Sequence, residues 1–144
     1  MGLDFKKPKR PKKRKWAWLS VGFIILLATI LISKVSADPA RLTGTVSRVV
    51  DGDTFKMDGL EPSIRIWGLD APERDEAAGP NATRTLTKIL GSYSLTCIIR
   101  DIDKYQRIVG QCFLPDGKDI AAVMISRGAA REYCYFSSNA YGTC

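Results

Sequence analysis

The chain has 144 residues and a formal net charge of +7, and the positive charge is concentrated at one end. The first 15 residues contain eight Lys and Arg residues and one Asp, so the rest of the chain carries no net charge. The basic composition therefore gives no support for nucleic-acid binding by the folded part. The sequence contains no His, which excludes Ser-His and Cys-His catalytic arrangements.

An uncharged run, "WAWLSVGFIILLATILI", occupies residues 16–32, directly after the basic tail of residues 1–15. Its length is at the lower limit for a membrane span and exceeds that of most signal-peptide apolar regions. We therefore predict one transmembrane or signal-anchor helix over residues 16–33 and a linker over residues 34–40.

Two fates of this helix remain open. Trp16 and Trp18 favour an uncleaved anchor, which would make the chain a single-pass protein of a bacterial-type cell membrane. The alternative is a secreted or periplasmic protein, released by cleavage near Ala37. In both cases the positive-inside rule keeps the tail in the cytoplasm and places a domain of residues 41–144 outside it. The tail then contacts anionic lipid, with nucleic-acid binding by the tail as the alternative.

The exported part begins with three predicted strands, "RLTGTVSRVV", "TFKMD" and "SIRIWGL", joined by two turns that contain Asp-Gly. A helix follows in "GPNATRTLTKILGS", with Pro80 near its start and Gly91 at its end. Two further strands, "SLTCIIR" and "RIVGQCFL", precede a helix in "KDIAAVMISRGAA" and an aromatic tail. This order predicts an α+β, mainly β fold: a five-stranded OB-type barrel with two to three short helices.

The domain contains four cysteines, Cys97, Cys112, Cys134 and Cys144. An even number in a small exported domain predicts disulfides, and three pairings are possible. We favour Cys97–Cys112, because both lie at similar distances from a hairpin turn, and Cys134–Cys144, which would tie the aromatic tail to itself. The absence of His and of any CxxC pair disfavours zinc.

Two acids are candidates for a metal site. Asp53 lies in the turn "DGDTF" and Asp70 ends the third predicted strand, so the two would converge at the ends of adjacent strands. Carboxylates with a backbone carbonyl are hard oxygen ligands, which suit Ca²⁺. The alternative is that both are acidic turn residues that point into water.

Arginines and tyrosines supply the other candidates. Arg65 has apolar neighbours in a predicted strand, so it requires an anionic partner, either a nearby acid such as Asp70 or a bound phosphate. Arg107 ends the hairpin turn "DKYQR", which taken alone is typical of a solvated turn. Tyr133 and Tyr135 flank Cys134 and either pack on the barrel or stack on bases.

Four stretches, "VDGDTF", "IRIWGLDAPE", "DKYQRIVG" and "GKDIAAVMISRGAA", occur in this order and together resemble the thermonuclease (staphylococcal-nuclease-like) family. The spacing of Arg65, Asp70 and Glu73, followed by a DKYxR hairpin, is the specific part. The resemblance covers roughly residues 41–135. It implies an OB barrel, in agreement with the predicted strand order, and a Ca²⁺-dependent endonuclease that hydrolyses phosphodiester bonds of DNA and RNA.

The resemblance also implies a role for each matching residue. Asp53, Asp70 and the backbone carbonyl of Ala71 would bind Ca²⁺, and Asp51 would support them without touching the ion. Glu73 would activate or orient the attacking water, while Arg65 and Arg107 would hold the scissile phosphate and stabilise its developing charge. The remaining matches would contact the nucleotide: Lys104, Tyr105, Tyr133 and Tyr135.

The chain departs from the family pattern at Gln106, where Gly is usual in the turn that presents Arg107. The segment between Glu73 and Gly79 is also shorter than the long basic loop that the staphylococcal enzyme has at this point. Because the domain has no net positive charge and Gln106 departs from the pattern, an alternative function is a non-catalytic OB-fold module that binds nucleic acid or protein. The expected partners are DNA or RNA as substrate and a membrane through the N-terminal helix, with no obligate protein partner.

Overall fold

The structure, a computed structural model, describes residues Asp38–Cys144 as one unit. The predicted basic tail, the predicted membrane or signal helix and linker residues 34–37 lie outside the described residues. Residues 38–40 precede the first strand and are exposed. Within residues 38–144, no helix has both the length and the apolar character that a membrane crossing requires.

Five strands close into a barrel, which confirms the predicted OB-type fold. The barrel strands are β1 (Arg41–Val49), β2 (Thr54–Met57), β3 (Ile64–Ile66), β5 (Ser94–Ile102) and β6 (Ile108–Phe113). Going round the barrel, the order is β1–β2–β3–β6–β5, and β5 pairs back onto β1. Strands β3 and β6 are parallel, and the other neighbours are antiparallel.

Alternating burial shows why these segments form barrel strands. In β6 every second residue is buried, beginning with Ile108, and β3 buries Ile64 and Ile66 on either side of the half-buried Arg65. The inward residues meet Phe55 and Leu95, both fully buried, in one core. Each such side chain stabilises the fold by roughly 1.5–3 kcal/mol through loss of water contact.

Three short helices accompany the barrel, within the predicted number of two to three: α1 (Gly79–Leu90), α2 (Ile120–Ser126) and α3 (Cys134–Ser137). Helix α1 begins with Pro80 in its first turn and ends at Gly91, whose φ is +49°. Helix α2 is capped by Asp119, whose carboxylate accepts hydrogen bonds from two backbone N–H groups of the first turn.

The third predicted strand is wrong in one respect, because "SIRIWGL" does not run unbroken. Strand β3 ends at Ile66, and Gly68, with a φ of +70°, turns the chain into a separate strand, β4 (Leu69–Asp70). Strand β4 pairs with β7 (Arg131–Glu132) in a second, two-stranded sheet that the sequence did not predict. The register sets Leu69 opposite Glu132 and Asp70 opposite Arg131.

Glu132 anchors the C-terminal tail to this small sheet. Its buried carboxylate accepts four hydrogen bonds, from the Ser137 hydroxyl, the Tyr141 N–H, and both the N–H and hydroxyl of Thr143. Burial alone would raise the pKa of Glu132, but these hydrogen bonds outweigh it and lower the pKa to about 2. The tail is therefore fixed by an ionised carboxylate.

Both favoured disulfides are present, Cys97–Cys112 and Cys134–Cys144. Cys97 and Cys112 lie directly opposite each other on β5 and β6, and both are fully buried in the core. Cys134 and Cys144 join the start of α3 to the C-terminal residue. The first bridge therefore stabilises the barrel itself, and the second fixes the tail.

We expect the double variant Cys97→Ala/Cys112→Ala to lose about 3 kcal/mol of unfolding free energy, the scale for a loop of about 15 residues. Urea unfolding followed by circular dichroism measures this loss. Thr96→Ala, on the opposite face of β5, is the control and should lose less than about 1 kcal/mol. An unchanged unfolding free energy in the double variant would contradict the assignment of this bridge to the stability of the barrel.

Candidate active site

The turn between β1 and β2 aims Asp53 into the protein. The Asp51 carboxylate accepts a hydrogen bond from the Asp53 N–H at 3.1 Å, which shapes the turn from within. Gly52 lies against the chain that follows β4, because a Cβ at this position would be 2.6 Å from the Ala71 Cβ and 2.7 Å from the Ala82 Cβ. The turn therefore brings Asp53 close to the segment that begins with Asp70.

Asp53 and Arg65 form an ion pair at the barrel wall. The Arg65 Nη1 is 2.7 Å from Asp53 Oδ1 and 2.6 Å from Oδ2. Asp53 is 5% exposed, and the pair forms because Thr54 on β2 is registered opposite Arg65 on β3. Arg65 thus has an acidic partner, as its apolar surroundings predicted, but that partner is Asp53 and not Asp70.

Burial raises the pKa of Asp53 to about 6, even though the charge of Arg65 and a hydrogen bond from Thr54 both lower it. The nearby Asp51 raises it further, and a backbone hydrogen bond from Ala71 lowers it. The negative charge is therefore only partly compensated by its protein neighbours. A cation placed beside Asp53 would complete that compensation.

Arg107 is presented by the hairpin between β5 and β6, and Asp103 organises that hairpin. The Asp103 carboxylate accepts hydrogen bonds from the backbone N–H groups of Tyr105 and Arg107, both at 2.9 Å, and from the Arg107 Nε at 2.7 Å. Partial burial would raise the pKa of Asp103, but these hydrogen bonds hold it below its usual value. The guanidinium is therefore fixed by its own turn.

Gln106 occupies the turn position where the family usually has Gly. Its φ is +63°, and its N–H donates to the Asp103 carbonyl at 2.9 Å. The turn therefore keeps a left-handed residue before Arg107, at the conformational cost that a side chain brings there. Gln106 does not abolish the presentation of Arg107.

Thr54 connects the two arginines. Its hydroxyl donates to Asp53 Oδ1 at 2.8 Å, and the Arg107 Nη1 lies 3.5 Å from the same hydroxyl oxygen. Arg65, Asp53, Thr54 and Arg107 consequently form one series of polar contacts, which joins β2 and β3 to the hairpin that precedes β6. The structure thus brings together two predicted arginines and one predicted acid.

The other predicted acids lie beside this cluster and make other contacts. Asp70 pairs with Arg131, whose Nη2 is 2.8 Å from Asp70 Oδ2. Glu73 is exposed in the following turn, where its N–H donates to the Glu76 carboxylate at 3.2 Å. In residues 38–144, no three acidic or cysteine side chains are grouped closely enough to hold a metal by themselves.

The predicted nucleotide contacts fall into two exposed groups. Tyr105 is 67% exposed, with Lys104 Nζ 5.0 Å from its ring centroid and Arg107 Cζ 5.4 Å from it. Tyr133 and Tyr135 line an open groove of about 580 Å³ that Asp70 and Arg131 also line. Aromatic rings are therefore available beside both Arg107 and Asp70.

The donor chemistry of this region fits Ca²⁺. Asp53, Asp70 and the Ala71 carbonyl offer oxygen ligands, and the raised pKa of Asp53 indicates a carboxylate that a cation would stabilise. Three such groups are fewer than the six to eight ligands that Ca²⁺ takes. Water and substrate oxygens would have to supply the remaining ligands.

The sequence reasoning missed three residues that shape the site: Thr54, Asp103 and Arg131. The position of Asp103 at the first residue of a turn is a usable indication, because Asp favours that position through hydrogen bonds to the following backbone. Nothing in the local sequence indicates Thr54 or Arg131, since their partners are brought in by strand pairing.

We expect Gly52→Ala to lower the unfolding free energy by about 1–3 kcal/mol, because its Cβ has no room against Ala71 and Ala82. The same change at Gly59 is not a fair control, since Gly59 has a φ of +71°. Gly44→Ala is the better control, because its Cβ would approach only a flexible Met57 sulfur, at 3.6 Å. Thermal unfolding compares the two, and equal stability would contradict the tight packing of the turn.

Relative to the parent, we expect Asp53→Asn to gain stability between pH 4 and pH 8 in the presence of a chelator. The pKa is about 6 in the folded state against a reference of 3.8, so the unfolded chain releases its proton first as the pH rises. Folding therefore loses about 3 kcal/mol between roughly pH 4 and pH 6, and Asn avoids that loss. Urea unfolding at pH 4 and pH 8 measures the difference.

Asp75→Asn is the control for that measurement, because Asp75 is exposed and makes no side-chain hydrogen bond within the described residues. Its stability should follow that of the parent at both pH values. If Asp53→Asn were equally stable relative to the parent at pH 4 and pH 8, the buried titration would be wrong.

Comparison with known proteins agrees with this geometry. The family described as "Staphylococcal nuclease homologue" matches residues 63–143. An "Uncharacterized endonuclease" of Escherichia coli is 33% identical over 102 residues, which cover 69% of this chain and 67% of that protein. A "Micrococcal nuclease" of Shigella flexneri is 30% identical over 122 residues, which cover 78% of this chain and 70% of that protein.

A third relative, "Protein ParB" of Escherichia coli, is 29% identical over 134 residues, which cover 85% of this chain and 72% of that protein. The matched segment contains Arg65, Asp70, Glu73 and Arg107, the residues that carried the resemblance in the sequence. With the closed five-stranded barrel, these matches show that the chain belongs to the staphylococcal nuclease homologue family.

Proposed function

We propose that this protein is a Ca²⁺-dependent nuclease that hydrolyses phosphodiester bonds of DNA and RNA. The family and the nuclease names of its relatives support nuclease activity at the general level. The more specific proposal depends on one observation, the series of polar contacts that connects the two arginines through an acid and a hydroxyl: Arg65, Asp53, Thr54 and Arg107. Asp70 and Glu73 lie on the adjoining segment. That arrangement offers cationic groups, a cation-binding carboxylate and a separate acid in one region.

The two arginines suit the scissile phosphate. Each guanidinium has five N–H donors and is charged at every relevant pH. Arg65 uses Nη1 on Asp53, and Arg107 uses Nε on Asp103, so each retains donors for phosphate oxygens. Because these partners hold the guanidinium groups in place before substrate arrives, little reorganisation is needed as charge grows on the phosphate.

We assign to Glu73 the role of activating or orienting the attacking water. It is exposed, and within the described residues its carboxylate makes no hydrogen bond to another group. Its backbone is fixed by the Glu76 side chain and by the close packing of Gly79 against the Glu73 carbonyl. A free carboxylate on a fixed backbone suits a base that accepts a proton from water or orients it.

Asp53, Asp70 and the carbonyl of Ala71 would hold the cation. When bound, Ca²⁺ supplies positive charge next to the phosphate and favours ionisation of a coordinated water. Asp51 contributes by fixing the Asp53 backbone through its hydrogen bond to the Asp53 N–H. The nucleotide would then contact Lys104 and Tyr105 on one side and the Tyr133 and Tyr135 rings on the other, where bases stack.

We also propose that the domain works outside the cytoplasm, tethered by the helix predicted for residues 16–33 or released near Ala37. Two disulfides within 107 described residues support an oxidising compartment. The mass of the protein purified from its membrane fraction and from the medium distinguishes the tethered form from the cleaved form.

Removal of Ca²⁺ is the first test of the nuclease proposal. The full chain, purified in a mild non-ionic detergent without reductant, should cut single-stranded DNA and RNA with Ca²⁺ and stop when EGTA is added. Glu73→Gln should lower kcat by about 10²–10⁴-fold, and Arg107→Ala by about 10²–10³-fold, the scales for a general base and for one electrostatic donor.

Glu61→Gln is the matched control, because it makes the same chemical change at an exposed glutamate in the turn between β2 and β3. Its activity should equal that of the parent. Full cleavage by Glu73→Gln, or cleavage that persists in EGTA, would contradict the proposal. Binding of nucleic acid in EGTA without any product would instead support the non-catalytic module.

A further inference from the structure

Arg131 is a positively charged residue to which the family pattern assigns no role in this sequence. It lies on β7 opposite Asp70 on β4, and its guanidinium contacts the Asp70 carboxylate at 2.8 Å. The Arg131 side chain is 85% exposed and that of Asp70 is 39% exposed. Asp70 is also a proposed cation ligand, so Arg131 and the cation would use the same carboxylate.

The ion pair is easily exchanged because it is exposed. Pairs of this kind contribute about 0–1 kcal/mol, since water solvates both partners almost as well as they solvate each other. A divalent cation with additional oxygen ligands therefore has enough free energy to displace the guanidinium from Asp70. Within the described part of the chain, the Arg131 guanidinium has no hydrogen-bond partner other than Asp70.

A displaced Arg131 has a destination on the same surface. It lines the open groove together with Tyr133 and Tyr135, whose exposed fractions are 38% and 82%. A guanidinium beside exposed aromatic rings matches a nucleotide, because it binds phosphate while the rings stack on bases. No other Lys or Arg lines this groove.

We propose that Arg131 is a phosphate-binding residue of this groove, which Asp70 holds while the cation is absent and releases when the cation binds. This inference rests on the proposed Ca²⁺-dependent function and adds a residue and a coupling to it. The occupant of the groove is a single-stranded stretch of the nucleic acid substrate next to the scissile phosphate.

The proposal has a thermodynamic consequence. Cation binding must break the Arg131–Asp70 pair, and a phosphate that accepts Arg131 offsets that loss. Calcium and oligonucleotide therefore strengthen each other's binding, by the same factor in both directions. When Arg131 is replaced, this mutual gain in affinity should become smaller. Calcium alone should bind more tightly than it does to the parent, because it no longer has to displace a guanidinium from Asp70.

The experiment uses the full chain in mild detergent with Glu73→Gln throughout, so that the oligonucleotide stays intact. Calorimetry gives the Ca²⁺ dissociation constant, and fluorescence anisotropy of a labelled oligothymidylate gives its affinity with Ca²⁺ and with EGTA. In Arg131→Gln we expect Ca²⁺ alone to bind about twofold to fivefold more tightly, and the Ca²⁺-induced gain in oligonucleotide affinity to fall by a similar factor.

Two variants make the result specific. Arg41→Gln removes the same charge at the start of β1, roughly 26 Å along the strand from Val49, where β1 leads into the turn of Asp53. It should leave the Ca²⁺ affinity and the coupling unchanged. Arg131→Lys keeps the charge and should retain part of the coupling. It also serves as the second variant if Arg131→Gln is unstable.

Equal Ca²⁺ affinity and equal coupling in Arg131→Gln and Arg41→Gln would overturn the inference, while Ca²⁺-dependent cleavage by the parent would leave the nuclease proposal standing. A parent chain that neither binds Ca²⁺ nor cleaves would overturn both. Tighter Ca²⁺ binding without any change in the coupling would also overturn it, because Arg131 would then compete for Asp70 without binding phosphate.

Discussion

The ion pair between buried Asp53 and half-buried Arg65 organises the rest of the site. Burial raises the pKa of Asp53, and Arg65 offsets that effect only in part, which leaves the pKa at about 6. The pair sets an acid at the start of β2 next to a cationic side chain on β3, and Thr54 extends the contacts to Arg107. A site that is poorly compensated in the free protein is well suited to gain from a cation and a phosphate that arrive together.

Local hydrogen bonds to carboxylates fix the pieces that surround this pair. Asp51 shapes the turn of Asp53, Asp103 shapes the hairpin of Arg107, and Glu132 fixes the tail behind Tyr133. Each carboxylate bonds to backbone N–H groups close to it in sequence or in the adjoining tail. Function in this fold therefore relies on turns whose geometry is set by acids, while the barrel supplies a rigid support.

The described domain has no excess of positive charge. Residues 38–144 contain thirteen Lys and Arg residues and fourteen Asp and Glu residues, so net charge does not attract a nucleic acid to the domain. Binding would have to come from a few guanidinium groups and exposed rings. Such a surface neutralises few phosphates, which implies a weak dependence of binding on salt compared with basic DNA-binding domains.

The order of the barrel strands and helices, the OB-type barrel, the favoured disulfide pairing and the family could be inferred from the sequence, because apolar alternation, turn residues and motif spacing are local properties. It also identified Asp53, Arg65 and Arg107 as candidates. Which charges pair depends on strand pairing: Asp53 pairs with Arg65, and Asp70 pairs with Arg131 across the unpredicted β4–β7 sheet. The partners lie 12 and 61 residues apart, and strand register, which no local pattern specifies, is what brings them into contact.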